Sequence, residues 1–234
     1  IPYKFRLDPE FAQLAVDKCK ERGLHARTVS YYGFPIDTGS ILALKLLNPD
    51  NRLPAIIVSS NMYANRAETI VLGKSVRDAI DASGKKAVVV VVSALSNRLH
   101  TVEIKPEDDK IHSLKDHEWN LKFLEYLDKG RLEDVSQLSR QFHEEARVPK
   151  VVSFKPFWIM ASMMGQTNLY EGNILAYEPV WGTGSAVVTM TPAEDTAGDL
   201  EYDEDDPEFY KGDREVLDFY EQPEMGPLEG EDGD

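Results

Sequence analysis

Residues 68–99 read ETIVLGKSVRDAIDASGKKAVVVVVSALSNRL, and their pattern is the strongest indication of the fold class. Its apolar residues recur at helical spacing from Glu68 to Ser83, which predicts an amphipathic helix that ends at Gly84. The run Ala87–Ser93 that follows is short, apolar and rich in valine. Such a run favours a parallel strand covered on both faces over a targeting or membrane segment.

A second apolar run, Leu53–Ser59, precedes the helix and also predicts a buried strand. Strand, helix and strand at this spacing indicate a parallel βαβ unit. The loop Ser93–Leu99 then leaves the second strand at the edge where α/β sheets place their ligands. The sequence therefore predicts the α/β class: a single domain with a central, largely parallel or mixed sheet flanked by helices.

The other elements follow from caps, breakers and apolar spacing. The first is a helix that opens at Asp8 and Pro9 and closes at Gly23. The remaining predictions, in chain order, are a strand Arg27–Tyr32, a loop Tyr32–Gly39, a short helical or irregular stretch, helices Asp116–Leu127 and Glu133–Glu145, an apolar segment Phe157–Met164 stopped by Gly165, and closing strands Ile174–Tyr177 and Ala186–Met190 around a loop Glu178–Gly184.

Composition is that of an ordinary globular protein, with 42% hydrophobic and 29% charged residues in 234. No stretch approaches the roughly 20 apolar residues that a membrane helix needs, so we expect a soluble protein and no membrane partner. Cys19 is the only cysteine, which excludes an intrachain disulfide and a cysteine-cluster metal site. It fits a cytoplasmic location, and its neighbours Phe11 and Ala15 at helical spacing favour a buried thiol.

The formal net charge of -15 is concentrated at one end of the chain. Residues 201–234 hold 15 of the 41 acidic residues and 2 of the 26 basic ones. We therefore predict an α/β domain at 1–192 and an acidic C-terminal extension at 193–234, and we expect no nucleic-acid partner. Aromatic residues interrupt the extension and favour its docking on a surface: Tyr202, Phe209, Tyr210, Phe219 and Tyr220.

Three stretches in this order resemble the LigB-type class III extradiol dioxygenases over most of residues 8–190. The first is Asp37-Thr38-Gly39 with the strand that follows, where the family typically has Asp-His-Gly. The second is Ser93-Ala94-Leu95-Ser96-Asn97, where the family has a loop ending Leu-Ser-His. The third is Tyr177-Glu178-Pro179-Val180-Trp181-Gly182-Thr183-Gly184, which is similar to the family's final loop.

The resemblance implies a particular chemistry. Family members hold ferrous iron with two histidines and one carboxylate, which leaves open positions for an aromatic ring and for dioxygen. A nearby imidazole then takes and returns protons near neutral pH. The histidines of this chemistry are therefore the residues to look for in this chain.

This chain departs from the family at those positions. Asn97 stands where the acid/base histidine is expected, and an amide cannot carry a proton at neutral pH. Thr38 stands in place of the Asp-His-Gly histidine. No acid lies in Val151–Phe154, before Trp158, where the family's carboxylate ligand is expected. We therefore assign no catalytic, cofactor-binding or metal-binding residue in this chain and regard Thr38 and Asn97 as degenerate positions.

Within the family, such a chain resembles the non-catalytic α subunit of aminophenol-cleaving enzymes. The resemblance implies a homologous β subunit that carries Fe(II) and binds the aromatic substrate, in an α2β2 assembly. One alternative is a self-sufficient extradiol dioxygenase whose ligands precede Ile1, or one that uses His112, His117 and His143. Another is a regulatory module that binds an aromatic ligand without turnover.

The histidines, the glycine-containing turn and the methionines favour structural roles over binding or catalytic sites. His112 and His117 are five residues apart, which does not align them on one helix face, and His143-Glu144-Glu145 lacks a second histidine. His25 and His100 flank loops without a carboxylate nearby in sequence. Gly182-Thr183-Gly184 favours a tight turn between strands over a phosphate cradle. The methionines of the Phe157–Met164 segment favour a core or a subunit interface.

Overall fold

The computed structural model describes residues 4–29, 36–59, 61–146 and 154–194. Its α-helices are α1 (Pro9–Glu21), α2 (Thr38–Leu47), α3 (Arg66–Ser83), α4 (Leu114–Asp128), α5 (Leu132–Glu145) and α6 (Lys155–Met163), and a short 3₁₀ helix spans Pro106–Asp108. The strands are β1 (Tyr170–Val180) and β2 (Thr183–Pro192). The α/β class predicted from the sequence is confirmed. No helix in the described ranges is both long enough and apolar enough to cross a membrane.

Capping residues mark the ends of α1 and α3. Asp8 caps α1 by accepting a hydrogen bond from the Phe11 N–H. Asn65 and Glu68 form a reciprocal capping box at the start of α3, which ends at the left-handed Gly84. The predicted helices at 8–23, 68–83, 116–127 and 133–145 are therefore confirmed, with ends that differ by one to two residues.

Helix α3 is the central helix of the N-terminal half. It packs against α1 on one side and α6 on the other. The Arg22 guanidinium joins α1 to α3 by donating to the Asp78 carboxylate at 2.7 Å. Cys19 lies in this interface and is buried and unpaired, as predicted.

The main core lies between α4, α5, α6 and one face of the hairpin. Four phenylalanine rings form its centre, with the Phe123 and Phe142 centroids 4.8 Å apart. The other two, Phe154 and Phe157, are in edge or tilted contact with them. Met163 is buried, and Met160 and Met164 pack partly against the core. The prediction that the methionines of this segment lie in a core is therefore confirmed.

The closing strands are confirmed and are longer than predicted. β1 and β2 pair antiparallel from Tyr170 with Pro192 to Val180 with Thr183, with an irregularity between Ile174 and Ala176. The predicted loop Glu178–Gly184 is wrong in extent, because only Trp181 and Gly182 lie outside the strands. Both have positive φ, at 55° and 89°, which is the geometry of a two-residue hairpin turn.

The helix of the predicted parallel βαβ unit is present, but its two strands do not pair with each other in the described residues. The strand predicted at 53–59 is reduced to one parallel bridge between Leu7 and Ala55, and no ladder is assigned at 87–93 or at 27–29. The hydrogen-bonded sheet of the described residues is the antiparallel pair. A ladder needs a partner strand as well as a suitable sequence. Among the described residues, the valine-rich segment 87–93 has no partner strand.

Some predictions fall on other parts of the chain. Residues 30–32 of the predicted strand, 151–153 and the aromatic residues of the acidic extension lie outside the described residues. The domain boundary at 192 stays a prediction, although β2 ends at Pro192. The predicted loop 32–39 is too long, because α2 begins at Thr38 with Asp37 as its cap.

Candidate functional site

The loop 93–99 is held in place by a buried asparagine of α4. Asn120 Oδ1 accepts from the Ser96 N–H at 2.9 Å, and Asn120 Nδ2 donates to Ser96 Oγ at 2.7 Å. The Gly184 N–H of β2 donates to the Ser96 carbonyl at 2.9 Å. Ser96 and Asn120 are both fully buried. All three polar groups of Ser96 are therefore satisfied, and the loop is fixed against α4 and the hairpin.

The same amide extends the network to Tyr177 and His117. Asn120 Nδ2 donates to Tyr177 Oη at 3.1 Å, and His117 Nδ1 lies 3.1 Å from that oxygen. The Tyr177 hydroxyl therefore lies within hydrogen-bonding distance of both side chains. The two rings are nearly parallel, at 10°, with centroids 5.7 Å apart, and burial raises the pKa of the Tyr177 phenol.

Position 97, which the family resemblance predicts to be degenerate, directly follows this fixed residue. Asn97 is half-buried and lies between Ser96 and Arg98 at the start of the 97–112 connection. Its amide has no proton to exchange at neutral pH. The loop therefore presents an uncharged hydrogen-bonding group at the position where the family resemblance places a base.

Thr38, the second degenerate position, is exposed in the first turn of α2. Its neighbour Asp37 is the helix cap and accepts from the Ser40 N–H at 2.8 Å. Desolvation acts to raise the pKa of Asp37, but hydrogen bonds from the Ser40 hydroxyl and backbone lower it overall. A Cβ on Gly39 would lie 2.5 Å from Val92 Cγ1, so α2 begins against the residue that precedes loop 93–99. The structure thus brings the first two family-like stretches together.

A buried ion pair lies beside the loop. Asp116, in the first turn of α4, is 1% exposed, and its Oδ2 lies 3.6 Å from Arg98 Nε. Neither carboxylate oxygen nor Arg98 Nε has a hydrogen bond to the described residues. Sequence reasoning missed both Asp116 and Asn120. Their helical spacing with the buried Phe123 and Leu127 was the available signal, since polar residues in an apolar stripe are buried polar residues.

The hairpin turn is bound to the 98–112 connection. The Asp109 carboxylate accepts from the backbone N–H groups of Trp181 and Gly182, the latter at 3.0 Å. The His100 N–H donates to the Trp181 carbonyl at 3.1 Å, and the His112 N–H donates to the Gly182 carbonyl at 2.9 Å. The predicted turn at Gly182 is confirmed. The fold places a carboxylate beside His100 that is nine residues away in sequence, since its Nε2 lies 3.7 Å from Asp109 Oδ1.

The histidines do not converge on one point. The His100 and His112 rings stack with centroids 5.4 Å apart, whereas His25 is exposed and His143 belongs to α5. Within the described ranges, no three His, Cys, Asp or Glu side chains are placed to hold a metal ion. The side chains that hold loop 93–99 are amides and hydroxyls, and the nearby Asp116 faces an arginine. These groups do not fit the iron ligand set that the family resemblance implies, so no chemical step is derived through iron in this chain.

The start of α6 is held by a buried ammonium group. Lys155 is 3% exposed, and its Nζ donates to the carbonyls of Asn61 at 2.9 Å, Met62 at 2.9 Å and Ala64 at 2.5 Å. Burial lowers the pKa of this lysine. Its three protons are used by three backbone acceptors, so Lys155 joins α6 to the turn before α3.

Comparison with known proteins defines the class. Residues 1–189 match the family model described as the catalytic LigB subunit of aromatic ring-opening dioxygenase. The chain belongs to this family, a group of ring-cleaving extradiol dioxygenases.

Two curated relatives from a Pseudomonas species are the subunits of one enzyme. The chain is 29% identical over 193 residues to the 2-aminophenol 1,6-dioxygenase alpha subunit, covering 82% of this chain and 70% of the relative. It is 33% identical over 197 residues to the beta subunit of that enzyme, covering 80% of this chain and 64% of the relative. Identity alone therefore does not assign the chain to one type of subunit.

Proposed function

We propose that this chain is the non-catalytic, α-type subunit of a 2-aminophenol 1,6-dioxygenase-type extradiol dioxygenase. Its role is to support a homologous β-type subunit that binds Fe(II) and the aminophenol and opens the ring with dioxygen. The complex is an oxidoreductase, and this chain holds no cofactor. The proposed assembly is an α2β2 complex in the cytoplasm.

The observation that carries the proposal is the state of loop 93–99. Asn120 and Gly184 hold every polar group of Ser96, so the loop is rigidly placed. The next residue is nevertheless Asn97, an amide where proton transfer needs an imidazole. Loop 93–99 is therefore held in place but carries no side chain for proton transfer at position 97. This combination fits a subunit that packs against a catalytic homologue and performs no chemistry itself.

The residues at the family's expected iron-ligand positions support the same proposal. Thr38 is exposed in the first turn of α2, where Asp37 is the helix cap. The sequence has no acid in 151–154, before Trp158. Restoring one of these three groups would therefore still leave the other two to be supplied.

The test is to coexpress this chain with its homologous neighbour and to measure iron and 2-aminophenol turnover in the purified complex. We expect about one iron per β-type chain and none that depends on this chain. Asn97→Ala in this chain serves as the matched variant and should leave turnover of the complex within twofold. A loss of turnover by tenfold or more would show that Asn97 takes part in the chemistry.

The second candidate is a self-sufficient dioxygenase. The observations that favour it are the 33% identity to the beta subunit and the placement of His117, whose Nδ1 lies 3.1 Å from the Tyr177 hydroxyl oxygen. In that case His117→Ala would abolish ring cleavage by the isolated chain. If the chain is a supporting subunit, there is no such activity to lose.

A further inference from the structure

We propose that a cationic groove between α1, α3 and the end of α6 binds residues 201–208 of the same polypeptide. The groove has a volume of about 390 Å³, and its charged lining residues are Arg22, Lys74, Arg77 and Asp78. This inference goes beyond the proposed function, because it concerns a contact within the chain and holds for a supporting subunit and a self-sufficient enzyme alike. It is carried by the charge of the groove, by the path of the chain and by the composition of residues 201–208.

The cationic groove carries a net positive charge. Arg22 follows α1, and Lys74 and Arg77 lie on α3, whereas Asp78 is the one acid among the described lining residues. Arg22 holds Asp78 at 2.7 Å, and Arg77 is paired at 2.9 Å with Asp81, which does not line the groove. Even with Asp81 included, three cations face two carboxylates, and the lining from α6 and the turn after it is uncharged. A groove with one sign of charge in excess attracts a segment of the opposite sign.

The chain leaves its described part beside this groove. Directly after β2, the Ala193 N–H donates to the Leu169 carbonyl at 3.0 Å. Tyr170, the first residue of β1, donates from its hydroxyl to the Met164 carbonyl at 2.6 Å, and Met164 lines the cationic groove. The described part ends at Glu194, so the segment that follows starts next to the groove.

Residues 201–208 have the charge that complements this groove. They read EYDEDDPE, with six acids in eight positions and no base. Glu201 lies seven residues after Glu194, and seven residues span at most roughly 25 Å, so the acidic residues start close to the point where the described part ends. Arginine binds carboxylates through a fork of N–H donors, and because it has five of them, pairing with one carboxylate does not exclude a second. Residues 201–208 therefore suit a groove lined by arginine and lysine.

Bound in this way, residues 201–208 form a strap over the junction of α1, α3 and α6. The strap is held by ion pairs near the surface, so salt should release it. The Debye length falls from about 10 Å at 0.1 M to about 3 Å at 1 M ionic strength. Apolar contacts are not screened, so salt dependence separates these ion pairs from packing of the aromatic side chains nearby in sequence.

The experiment treats the full chain with a carbodiimide, which joins a lysine amine directly to a nearby carboxylate, and maps the products by mass spectrometry. We expect Lys74 to be joined to an acid of residues 201–208, with a yield at least fivefold lower at about 1 M than at about 0.1 M NaCl. Arg77→Gln removes a groove cation but leaves the amine and the acids in place, and it should lower this yield at least threefold. Arg52→Gln is the matched control, since the Arg52 side chain is 81% exposed and does not line the groove. It should change the yield by less than about 1.5-fold.

Hydrogen exchange is a second measurement that does not depend on the reactivity of Lys74. In the wild type, residues 201–208 should exchange at least fivefold more slowly at about 0.1 M than at about 1 M NaCl, and Arg77→Gln should abolish this difference. Exchange that responds to neither salt nor the variant would overturn the proposal, as would Lys74 cross-links spread evenly over residues 195–234. In an equal mixture of unlabelled and nitrogen-15-labelled chains, cross-links between chains would assign the groove to a second copy and overturn it as well.

Discussion

Asn120 and Ser96 exchange two hydrogen bonds, one from the Ser96 N–H to Asn120 Oδ1 at 2.9 Å and one from Asn120 Nδ2 to Ser96 Oγ at 2.7 Å. Both residues are buried, and the pair connects α4 to the loop that carries Asn97. This relationship fixes the loop against α4. It also makes Asn120 the residue on which the local structure depends most.

Asn120→Ala should therefore destabilise the protein. It leaves the buried Ser96 N–H without an acceptor and removes a donor from Tyr177, at a cost of about 2–4 kcal/mol. Urea unfolding monitored by tryptophan fluorescence measures the change. Asn173→Ala, at an exposed position of β1, is the control and should change the free energy of unfolding by less than about 0.5 kcal/mol. Equal effects of the two variants would contradict the role given to Asn120.

Gly73→Ala tests the contact between α3 and α6. A Cβ at this position would lie 1.9 Å from Ser162 Oγ and 2.5 Å from the Ile159 carbonyl oxygen. Alanine favours a helix by about 0.8–1 kcal/mol over glycine, but the overpacking should outweigh this and give a net loss of about 1–3 kcal/mol. Thermal unfolding checks the sign. Arg77→Ala on the exposed side of α3 should lose less than about 0.5 kcal/mol, and a stabilised Gly73→Ala variant would show that the helices are not in close contact.

Lys155→Met tests the buried ammonium group. Methionine leaves three carbonyls of 61–64 without their donor, and the expected loss is about 2–4 kcal/mol at neutral pH. Burial lowers the pKa of Lys155 in the folded state, so above that pKa the unfolded chain binds more protons than the folded one. The contribution of Lys155 to stability should then rise with pH until the ordinary lysine pKa near 10.5 is reached. Unfolding of both proteins from pH 7 to about pH 10.5 measures this, and a difference that shrinks as pH rises would contradict it.

Cys19 should react slowly with thiol reagents. Burial raises the pKa of its thiol, and the hydrogen bond with Ser75 offsets this only in part, so the thiolate fraction at neutral pH is small. Labelling with a disulfide reagent should be at least tenfold slower in the folded protein than in urea. Rapid labelling of the folded chain would show that α1 opens readily from α3.

Local signals were sufficient to predict the helices. Asp8 and Gly84 act through residues about one turn away, and they begin α1 and end α3 where the sequence predicts. The start of α5 is different, because Arg131 makes no side-chain cap. Asn168 instead accepts from the Glu133 and Asp134 N–H groups at 3.1 and 3.4 Å, across more than 30 residues of chain. No local pattern contains that information.

The sheet and the site depended on partners that are distant in sequence. The valine run at 87–92 has the composition of a strand, but pairing is decided by a neighbouring strand. Thr38 and Asn97 were predicted to be degenerate positions through the family resemblance, and no local pattern in the sequence points to them. The buried Asp116 and Asn120 were missed because charged and amide side chains on a helix are ordinarily assigned to its surface.

Asn97→His tests whether one residue separates this chain from an active enzyme. The variant would regain an imidazole next to Ser96, but the chain would still lack a ligand set for iron in its described residues. We expect no measurable ring cleavage by the isolated variant. Turnover within a hundredfold of the coexpressed complex would show that the other groups are present.

The most direct measurement is the iron content and 2-aminophenol turnover of the isolated wild-type chain after anaerobic incubation with ferrous iron. We expect the isolated chain to hold iron far below one equivalent and to cleave no ring. Both iron and ring cleavage should appear once the homologous subunit is coexpressed. Stoichiometric iron together with ring opening by the isolated chain would contradict it.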